Sequence, residues 1–318
     1  MKLTKHPAVA TQKVLITGMP GSGKTTLAAA LAERYNLIWI DLERGASTLT
    51  KLPVEWQERI DLVSLPDSAS YPIASDTLTQ LFKSGKASIC QSHGKVNCGL
   101  CKKAGAGFDD IDLTKLTSHD IVIVDTVTQL SHSILAHVTR AQPVDYKPER
   151  DDWGSLRKLT EFFCSQFQAA NFNLVCIAHV VEAKMEDNKT KLVPSFGSAG
   201  MSAEFAKAFD HVVYCETRNG KHVAGSSTSY NNSVLTKSRT DFCIEKLAVP
   251  SLLPIFTLPN DAAIVTIDKL VEDTAPEIAV ADTKQLVGPV SREVNTTAKT
   301  SLEKIRADIA ARKLAAGG

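Results

Sequence analysis

A glycine-rich segment near the start of the chain, GMPGSGKT, constrains the fold more than any other feature of the sequence. It fits the pattern G-x-x-x-x-G-K-[ST] and lies between a short apolar run, KVLIT, and an alanine-rich stretch with helical spacing, TTLAAALAERY. A strand, a glycine-rich loop and a helix in this order form a phosphate-binding loop. The segment therefore predicts a nucleotide-binding core built on a parallel sheet.

The residues of this loop are predicted to bind ATP and its Mg²⁺ ion. Glycines allow the backbone N–H groups to face the phosphates, and the start of the following helix adds positive potential. Lys24 is expected to reach the β- and γ-phosphates, and the Thr25 hydroxyl to bind the metal ion. The predicted nucleotide-binding residues are Gly18, Pro20, Gly21, Ser22, Gly23, Lys24, Thr25 and Thr26.

Further apolar runs predict the remaining strands of the sheet. Residues 37–41 (LIWID), 120–126 (DIVIVDT), 173–179 (NLVCIAH) and 211–216 (HVVYCE) are apolar at both parities, as in strands covered on two faces. An amphipathic helix is predicted over Trp153–Ala170. Strands that alternate with helices indicate an α/β fold with a doubly wound, mostly parallel sheet.

Composition separates a core from a C-terminal extension. We expect an ATPase core over residues 1–270, a polar linker rich in Thr and Pro over 271–297, and a helical tail over 298–318 that opens with a capping box. The N-terminus resembles no signal peptide, and no run is long enough to span a membrane. The net charge of +1 provides no global argument for nucleic acid. We therefore expect a cytoplasmic protein without membrane contact.

Acidic residues follow two of the predicted strands. Asp125 ends the run IVIV and is expected to hold the Mg²⁺ ion, with capping of the next helix as the alternative role. Glu43, in WIDLER, follows the neighbouring strand, from which a carboxylate could activate the attacking water. Asp41 is a rival for that role, and an acid at the surface is the plainer alternative.

The phosphate loop, LIWIDLER, IVIVDTVTQL and LVCIAHV, in this order, resemble the core of the RecA-type ATPases over residues 13–250. Within that group the chain is most similar to the phage Sak-type single-strand annealing ATPases. The resemblance implies that Glu43 is the catalytic glutamate and that His179 senses the γ-phosphate, where such proteins usually carry Gln. On the residues alone, a histidine at a strand end is more often structural.

The resemblance also implies partners. It predicts single-stranded DNA as ligand and a ring or filament of identical subunits. A single-strand binding protein is expected to contact the C-terminal tail, and the host cytoplasm is the expected location if the chain is phage-encoded.

The resemblance places one segment where RecA-like proteins contact single-stranded DNA. The segment after His179 carries three lysines for phosphates and one phenylalanine that could stack on a base. A second contact loop is expected over residues 138–154. Solvated loops, and a phenylalanine that packs inward, are the alternatives. The predicted DNA-binding residues are Lys184, Lys189, Lys191, Phe196, Arg140 and Lys147.

Two basic residues lie in the segment LTKSRTD. Similar segments in RecA-like proteins reach across a subunit interface to the ATP of the neighbour, so Lys237 and Arg239 are expected to act as fingers in trans. Arg239 is the stronger candidate because its planar fork can grip phosphate. Without the resemblance, two basic residues beside a turn usually form a solvated face.

A metal-binding pattern, C-x₂-H-x₄-C-x₂-C, lies between the two acidic strand ends. Its Cys90, His93, Cys98 and Cys101 provide the four ligands of a closed, structural Zn²⁺ site. Four unrelated residues, or redox-active thiols, are the alternatives. We expect a zinc-knuckle insertion over residues 84–107 that either clips this insertion together or faces DNA through its lysines. The remaining cysteines, in apolar runs, are expected to be buried without chemistry.

Together these features predict a DNA-stimulated ATPase that binds single-stranded DNA and promotes annealing or strand pairing in recombination. Two alternatives stay open. One is a hexameric DNA helicase motor with a related core. The other is a P-loop phosphotransferase for a small molecule, which needs a lid with several arginines and an acidic substrate pocket that the sequence does not offer.

Overall fold

The computed structural model describes most of the chain up to Phe256. The predicted linker (271–297) and helical tail (298–318) lie outside the described residues. Those that are described are 11–68, 71–143, 145–184, 189–240 and 242–256.

Twelve strands occur in the described part of the chain. They are β1 (Lys13–Gly18), β2 (Asn36–Asp41), β3 (Ile60–Ser64), β4 (Lys86–Cys90), β5 (Phe108–Asp112), β6 (Asp120–Asp125), β7 (Asn173–Ala178), β8 (Val180–Lys184), β9 (Thr190–Pro194), β10 (His211–Arg218), β11 (Lys221–Gly225) and β12 (Lys237–Ser238).

Eight of these strands form one central sheet in the order β11-β10-β1-β7-β6-β2-β3, with β12 also paired to β10. The six strands from β10 to β3 run parallel, whereas β11 and β12 are antiparallel to β10. Two antiparallel hairpins, β4 with β5 and β8 with β9, stand apart from this sheet. The predicted mostly parallel sheet is confirmed.

Seven α-helices accompany the strands in the described chain, and none of them is long and apolar enough to cross a membrane. They are α1 (Lys24–Ala29), α2 (Val54–Gln57), α3 (Ile73–Ser84), α4 (Gly99–Ala104), α5 (Val127–Thr139), α6 (Arg150–Ala169) and α7 (Ala199–Phe205). Short 3₁₀ segments cover residues 30–33, 46–51, 113–115, 206–208, 244–246 and 253–255.

The central strands are buried on both faces, which explains why they are apolar at both parities. In β6, Ile121 and Ile123 pack into one hydrophobic cluster, while Val122 and Val124 pack into the other. The first cluster contains Leu27 of α1, and the second contains the helices α5 and α6. Each such side chain contributes about 1.5–3 kcal/mol on burial. Helices on both faces make the sheet doubly wound, as predicted.

Two predicted helices differ from the observed ones at their ends. The helix expected from Trp153 begins three residues earlier, because Glu149 and Asp152 form a capping box at its start. The helix after the phosphate loop remains α-helical to Ala29 and then tightens into the 3₁₀ turn 30–33.

The strand order determines where polar side chains meet. β7 lies between β1, which leads into the phosphate loop, and β6, which ends at Asp125. β2 adjoins β6 on its other side, and Asp41 is the register partner of Asp125. Because these strands are parallel, their carboxyl ends form one edge of the sheet, where ligands bind in open α/β folds.

Candidate functional site

The phosphate loop has the curled backbone that its glycines predict. Gly23 has a left-handed φ of 89° at the start of α1. Gly18 approaches the next strand so closely that a Cβ there would lie 2.3 Å from the carbonyl oxygen of Cys215. The Lys24 ammonium donates to the carbonyl oxygens of Gly18 (3.0 Å) and Met19 (2.9 Å). Burial lowers the pKa of this lysine, so an anionic phosphate beside it would favour the charged form.

Thr25 and Asp125 lie together at the sheet edge, as the sequence predicts for a magnesium site. The Thr25 hydroxyl donates to a carboxylate oxygen of Asp125 at 3.3 Å. Burial raises the pKa of Asp125 to about 7, and the nearby charges of Glu43 and Asp41 add to the effect. A hydroxyl and a carboxylate are donors that Mg²⁺ accepts, and the ion would stabilise the ionised carboxylate.

The alternative role for Asp125, capping of α5, belongs to its neighbour. The Thr126 hydroxyl accepts the backbone N–H of Gln129 at 3.2 Å. Asp125 is therefore released from helix capping and directed towards the cleft with Thr25.

The two acids of the segment DLER have different surroundings. Asp41 is 1% exposed, and one of its carboxylate oxygens accepts the backbone N–H groups of Glu43 and Gly45, each at 3.1 Å. Glu43 instead projects from the turn and accepts a hydrogen bond from the Thr126 hydroxyl. Asp41 thus holds the turn, and Glu43 is the acid that faces the cleft.

His179 completes this side of the cleft. Its Nε2 lies 3.5 Å from the second carboxylate oxygen of Glu43, and its backbone N–H donates to the Thr128 hydroxyl at 2.9 Å. The contact with His179 lowers the pKa of Glu43 and outweighs the opposing effect of burial. His179 lines the same cleft as Lys24, where Nε2 is the ring nitrogen that can donate a hydrogen bond to Glu43 or to a phosphate oxygen.

A single cleft of about 320 Å³ gathers these groups. Of the predicted nucleotide-binding residues, Gly18 and Ser22 do not line it. Three lining residues were not predicted: Thr48, Thr126 and His222. The complete lining is Pro20, Gly21, Gly23, Lys24, Thr25, Thr26, Glu43, Thr48, Asp125, Thr126, His179 and His222.

His222 reaches the cleft from the antiparallel strand β11. Its ring lies 3.1 Å from the position that a Cβ on Gly23 would occupy, and its Nδ1 is 3.4 Å from the Thr217 hydroxyl. No local pattern in the sequence indicates this placement, because it arises from the pairing of β11 with β10. Thr126, by contrast, is signalled by its position directly after Asp125.

The predicted DNA-binding lysines after His179 lie on one hairpin. Lys184 ends β8, Lys191 lies in β9, and Lys189 directly precedes that strand. Lys184 and Lys189 are exposed, and Lys191 is half-buried. The hairpin therefore presents basic groups on a short antiparallel ribbon.

The prediction that Phe196 stacks on a base is wrong. The side chain is 1% exposed, and its ring centroid lies 4.1 Å from that of Phe205 on α7. This aromatic pair belongs to the larger hydrophobic cluster, so burial of the Phe196 ring stabilises the fold.

The second predicted DNA-binding segment does not line the cleft. Arg140, at the end of α5, has a guanidinium nitrogen 3.7 Å from a carboxylate oxygen of Asp76. Lys147 is exposed. Both residues leave their charged groups at the surface, and a role in DNA binding stays a prediction.

Lys237 and Arg239 lie at the opposite edge of the sheet from the phosphate loop. β12 pairs with His211 and Val212, whereas the loop follows the far end of β1, about 13 Å away at four residues of strand rise. Lys237 donates to backbone carbonyls of Phe209 and Lys207, and Arg239 pairs with Asp210 at 2.9 Å. Neither residue belongs to the nucleotide cleft of its own chain.

The four predicted zinc ligands converge in a small module built from β4, α4 and β5. Their ligand atoms all lie within 4.8 Å of one another. The Nδ1 atom of His93 lies 3.8, 3.7 and 3.1 Å from the sulfur atoms of Cys90, Cys98 and Cys101. A tetrahedral Zn²⁺ ion places neighbouring ligands roughly 3.3–3.8 Å apart. The donor set therefore fits zinc.

The module is larger than predicted and is attached to α3. Its elements extend from Lys86 to Asp112, whereas residues 84–107 were expected. The Asn97 amide donates to Gln80 at 2.7 Å, and Lys95 lies over the ring of Tyr71, 4.3 Å from its centroid. These contacts fasten the module to the ATPase core.

Of the remaining cysteines, Cys176 and Cys215 are buried, as expected, whereas Cys164 is only half-buried. Burial raises the pKa of Cys164 to about 11 and that of Cys215 to about 12, and it raises the pKa of Cys176 well above its usual value. Cys243 is half-buried. Buried thiols with raised pKa values are poor nucleophiles and poor metal ligands.

Comparison with known proteins connects this geometry to a family. A family model described as "AAA domain" matches residues 10–240, a range that includes the phosphate loop, Asp125 and His179. No curated protein sequence matches the chain.

Two solved structures are similar to this chain at low sequence identity. The RadB recombinase is 13% identical to this chain, with a TM-score of 0.35. The match covers 67% of this chain and 79% of the RadB chain. A KaiC-like protein from Pyrococcus horikoshii is 11% identical, with a TM-score of 0.32 over 67% of this chain and 76% of its own.

Proposed function

The chain belongs to the AAA domain family and is an ATPase, and from this premise we propose that it uses ATP to bind single-stranded DNA and to promote annealing or strand pairing in recombination. The observation that carries the proposal is the cleft in which the phosphate loop, Glu43, Asp125 and His179 meet. The proposal that the chain binds and anneals DNA rests on its resemblance to RecA-type ATPases, and among them to the Sak-type annealing proteins.

Hydrolysis needs four functions at this cleft. Lys24 and the loop N–H groups would hold the phosphates. Thr25 and Asp125 would hold a Mg²⁺ ion, which would neutralise the negative charge that develops on the phosphates. Glu43 orients the attacking water and accepts its proton, since contact with His179 lowers its pKa and favours the ionised form. With nucleotide bound, the Nε2–H of His179 would donate to the γ-phosphate in place of Glu43, which would link the nucleotide to β8 directly after His179.

The β8–β9 hairpin is the proposed DNA contact. Lys184, Lys189 and Lys191 place positive charge on one ribbon, which suits a flexible phosphate backbone. Both ends of the hairpin join the helix that follows Asp125, because the Thr128 hydroxyl accepts from the N–H of His179 and donates to the carbonyl oxygen of Ser195 at 3.0 Å. This connection supports a change in DNA affinity with nucleotide state.

Assembly into a ring or filament of identical subunits completes the proposal. Arg239, with Lys237, would reach the ATP of a neighbouring chain. Neither residue lines the cleft of its own chain, and that location is compatible with a role in trans. Binding of a single-strand binding protein by residues 298–318 remains a prediction about a segment outside the described residues.

We also propose that Cys90, His93, Cys98 and Cys101 bind one structural Zn²⁺ ion that clips the module together. The charges of the module support a clip more than a DNA-facing finger. Lys86 pairs with Asp112 at 3.0 Å, Lys102 donates to Asn97 at 3.3 Å, and Lys95 covers Tyr71. Asp109 and Asp110 on β5 add negative charge that a phosphate backbone would avoid.

The phosphotransferase alternative is disfavoured by the composition of the cleft. Among the described residues that line it, none is an arginine, whereas a lid for a small-molecule acceptor needs several. The related helicase motor is distinguished by experiment.

The decisive experiment measures ATP turnover with and without a single-stranded oligonucleotide, together with annealing of two complementary labelled strands. We expect oligonucleotide to raise turnover, and annealing to be faster with ATP than without nucleotide. The Lys24→Ala variant is the control for both assays. Turnover indifferent to DNA would overturn the proposal, and directional unwinding of a forked duplex would replace it with the helicase motor.

A further inference from the structure

Thr126 is the lining residue with the most specific contact to a catalytic group. It is 2% exposed and follows Asp125 at the start of α5. Its hydroxyl accepts the backbone N–H of Gln129 and donates to a carboxylate oxygen of Glu43. A hydroxyl has one proton to donate. The helix N–H occupies a lone pair, so the proton is left to point at Glu43.

Glu43 has little else to restrain it. Its side chain is 34% exposed, and it stands on a turn whose next residue, Arg44, has a left-handed φ of 59°. The contact from His179 to its other oxygen, at 3.5 Å, is long for a hydrogen bond. Thr126 therefore makes the closer of the two side-chain contacts that restrain this carboxylate, which has three rotatable bonds.

We propose that Thr126 is a positioning residue that holds the Glu43 carboxylate in line with the attacking water. This inference rests on the role proposed above for Glu43 as the base. Thr126 itself transfers no proton and touches no phosphate. Because a misplacement of about 1 Å can lower a rate by roughly 10²-fold, loss of this one hydrogen bond should be visible in turnover.

The simpler alternative is that Thr126 serves α5 alone as its N-cap. Both bonds use the same oxygen, so stability measurements cannot separate them. A double-mutant cycle with Glu43 can, because a residue that acts only through Glu43 has no further effect once the carboxylate is absent.

The experiment compares Thr126→Val, Thr126→Ser, Glu43→Gln and the double variant Glu43→Gln with Thr126→Val. We expect Thr126→Val to lower kcat about 10- to 100-fold with KM for ATP changed by less than about twofold, because the phosphate contacts remain. Thr126→Ser, which retains the hydroxyl, should keep kcat within about threefold of the parent. In the Glu43→Gln background, Thr126→Val should cause no further loss.

Each contrary result has a distinct meaning. An equal fall in kcat from Thr126→Val in both backgrounds would assign Thr126 to helix capping and overturn the inference. An unchanged kcat for Thr126→Val, together with a lowered kcat for Glu43→Gln, would also overturn the inference. An unchanged kcat for Glu43→Gln would overturn the base assignment, and the inference with it. If Thr126→Val fails to bind a fluorescent ATP analogue, Thr126→Ala replaces it in the same cycle.

Discussion

The backbone N–H of Glu43 donates a hydrogen bond to the carboxylate of Asp41 across 3.1 Å, so the first acid of the segment DLER holds the turn on which the second is presented. The same carboxylate also accepts the N–H of Gly45. A division of labour between two acids that are only two residues apart follows from this arrangement.

Replacing each acid by its amide should separate the two roles. Glu43→Gln should lower ATP turnover by roughly 10²-fold or more while ATP still binds, because the amide cannot accept the proton of water. Asp41→Asn retains a carbonyl oxygen for both N–H groups, so it should cost far less turnover. Steady-state turnover and nucleotide titration measure this. A larger loss in Asp41→Asn than in Glu43→Gln would reverse the assignment.

The lowered pKa of Lys13 leads us to predict that the free energy of unfolding depends on pH. Burial at the start of β1 lowers its pKa to about 8, from 10.5 in the unfolded chain. Between these values the unfolded state binds more protons, so this residue makes stability rise with pH in that window; below it both states are protonated and stability stays at its lower level. Lys13→Met should therefore raise the free energy of unfolding at pH 7 by roughly 2 kcal/mol, with a smaller gain near pH 10. Urea unfolding at both pH values measures it.

The exposed Lys158 provides the matched control on α6. Lys158→Met should change the free energy of unfolding by less than about 0.5 kcal/mol and equally at both pH values. A gain for Lys13→Met that does not depend on pH would show that packing of the methionine, rather than removal of a buried charge, is responsible.

The cysteine cluster predicts about one Zn²⁺ per chain, measured by elemental analysis of protein purified without chelator. Changing Cys98 and Cys101 to Ser should abolish the bound zinc and unfold the module locally, while basal ATP turnover stays within about threefold because the cleft lies on the central sheet. Cys164→Ser with Cys243→Ser is the matched control and should keep the metal. A metal-free parent protein would refute the site.

The β8–β9 hairpin predicts a change in salt dependence. Replacing Lys184, Lys189 and Lys191 by Ala should weaken single-stranded DNA binding and flatten the plot of log K against log salt by about 0.7 per lost phosphate contact. Fluorescence anisotropy at several salt concentrations measures the slope. Lys51→Ala with Lys158→Ala, two exposed lysines elsewhere, should leave it unchanged. An unaltered slope in the hairpin variant would exclude contact with the DNA backbone.

Arg239 predicts complementation between inactive chains. Arg239→Ala and Lys24→Ala should each be inactive alone, yet an equal mixture should regain roughly a quarter of the parental turnover if each site needs one intact residue from each of two neighbours. Arg239→Lys should have only slightly more ATP turnover than Arg239→Ala, since lysine lacks the planar fork of arginine. No recovery in mixtures that are shown to co-assemble would exclude action in trans.

Features that depend on the local spacing of residues could be predicted from the sequence alone. The phosphate loop is encoded within eight residues, since a strand, a glycine turn and a helix follow one another directly. The two-face burial of β6 was visible as apolar residues at both parities, and the ligands Cys90 to Cys101 lie close enough along the chain for two turns to bring them together. In the phosphate loop and the cysteine cluster the relevant contacts lie within a dozen residues, whereas in β6 the apolar pattern indicates burial on both faces but not which distant helices cover them.

Side-chain placements that depend on contacts between residues far apart in the chain could not be predicted from the sequence and are seen only in the folded structure. Asp41 ends β2 and Glu43 follows that strand, and the turn, not the residue type, directs Glu43 to the cleft. Phe196 looked available in a polar loop, yet the packing of Phe205 against it buries the ring. His222 reaches the phosphate loop through the pairing of β11 with β10. The physical reason is common to all three: side-chain direction is set by long-range packing and strand pairing, which no local period of the sequence records.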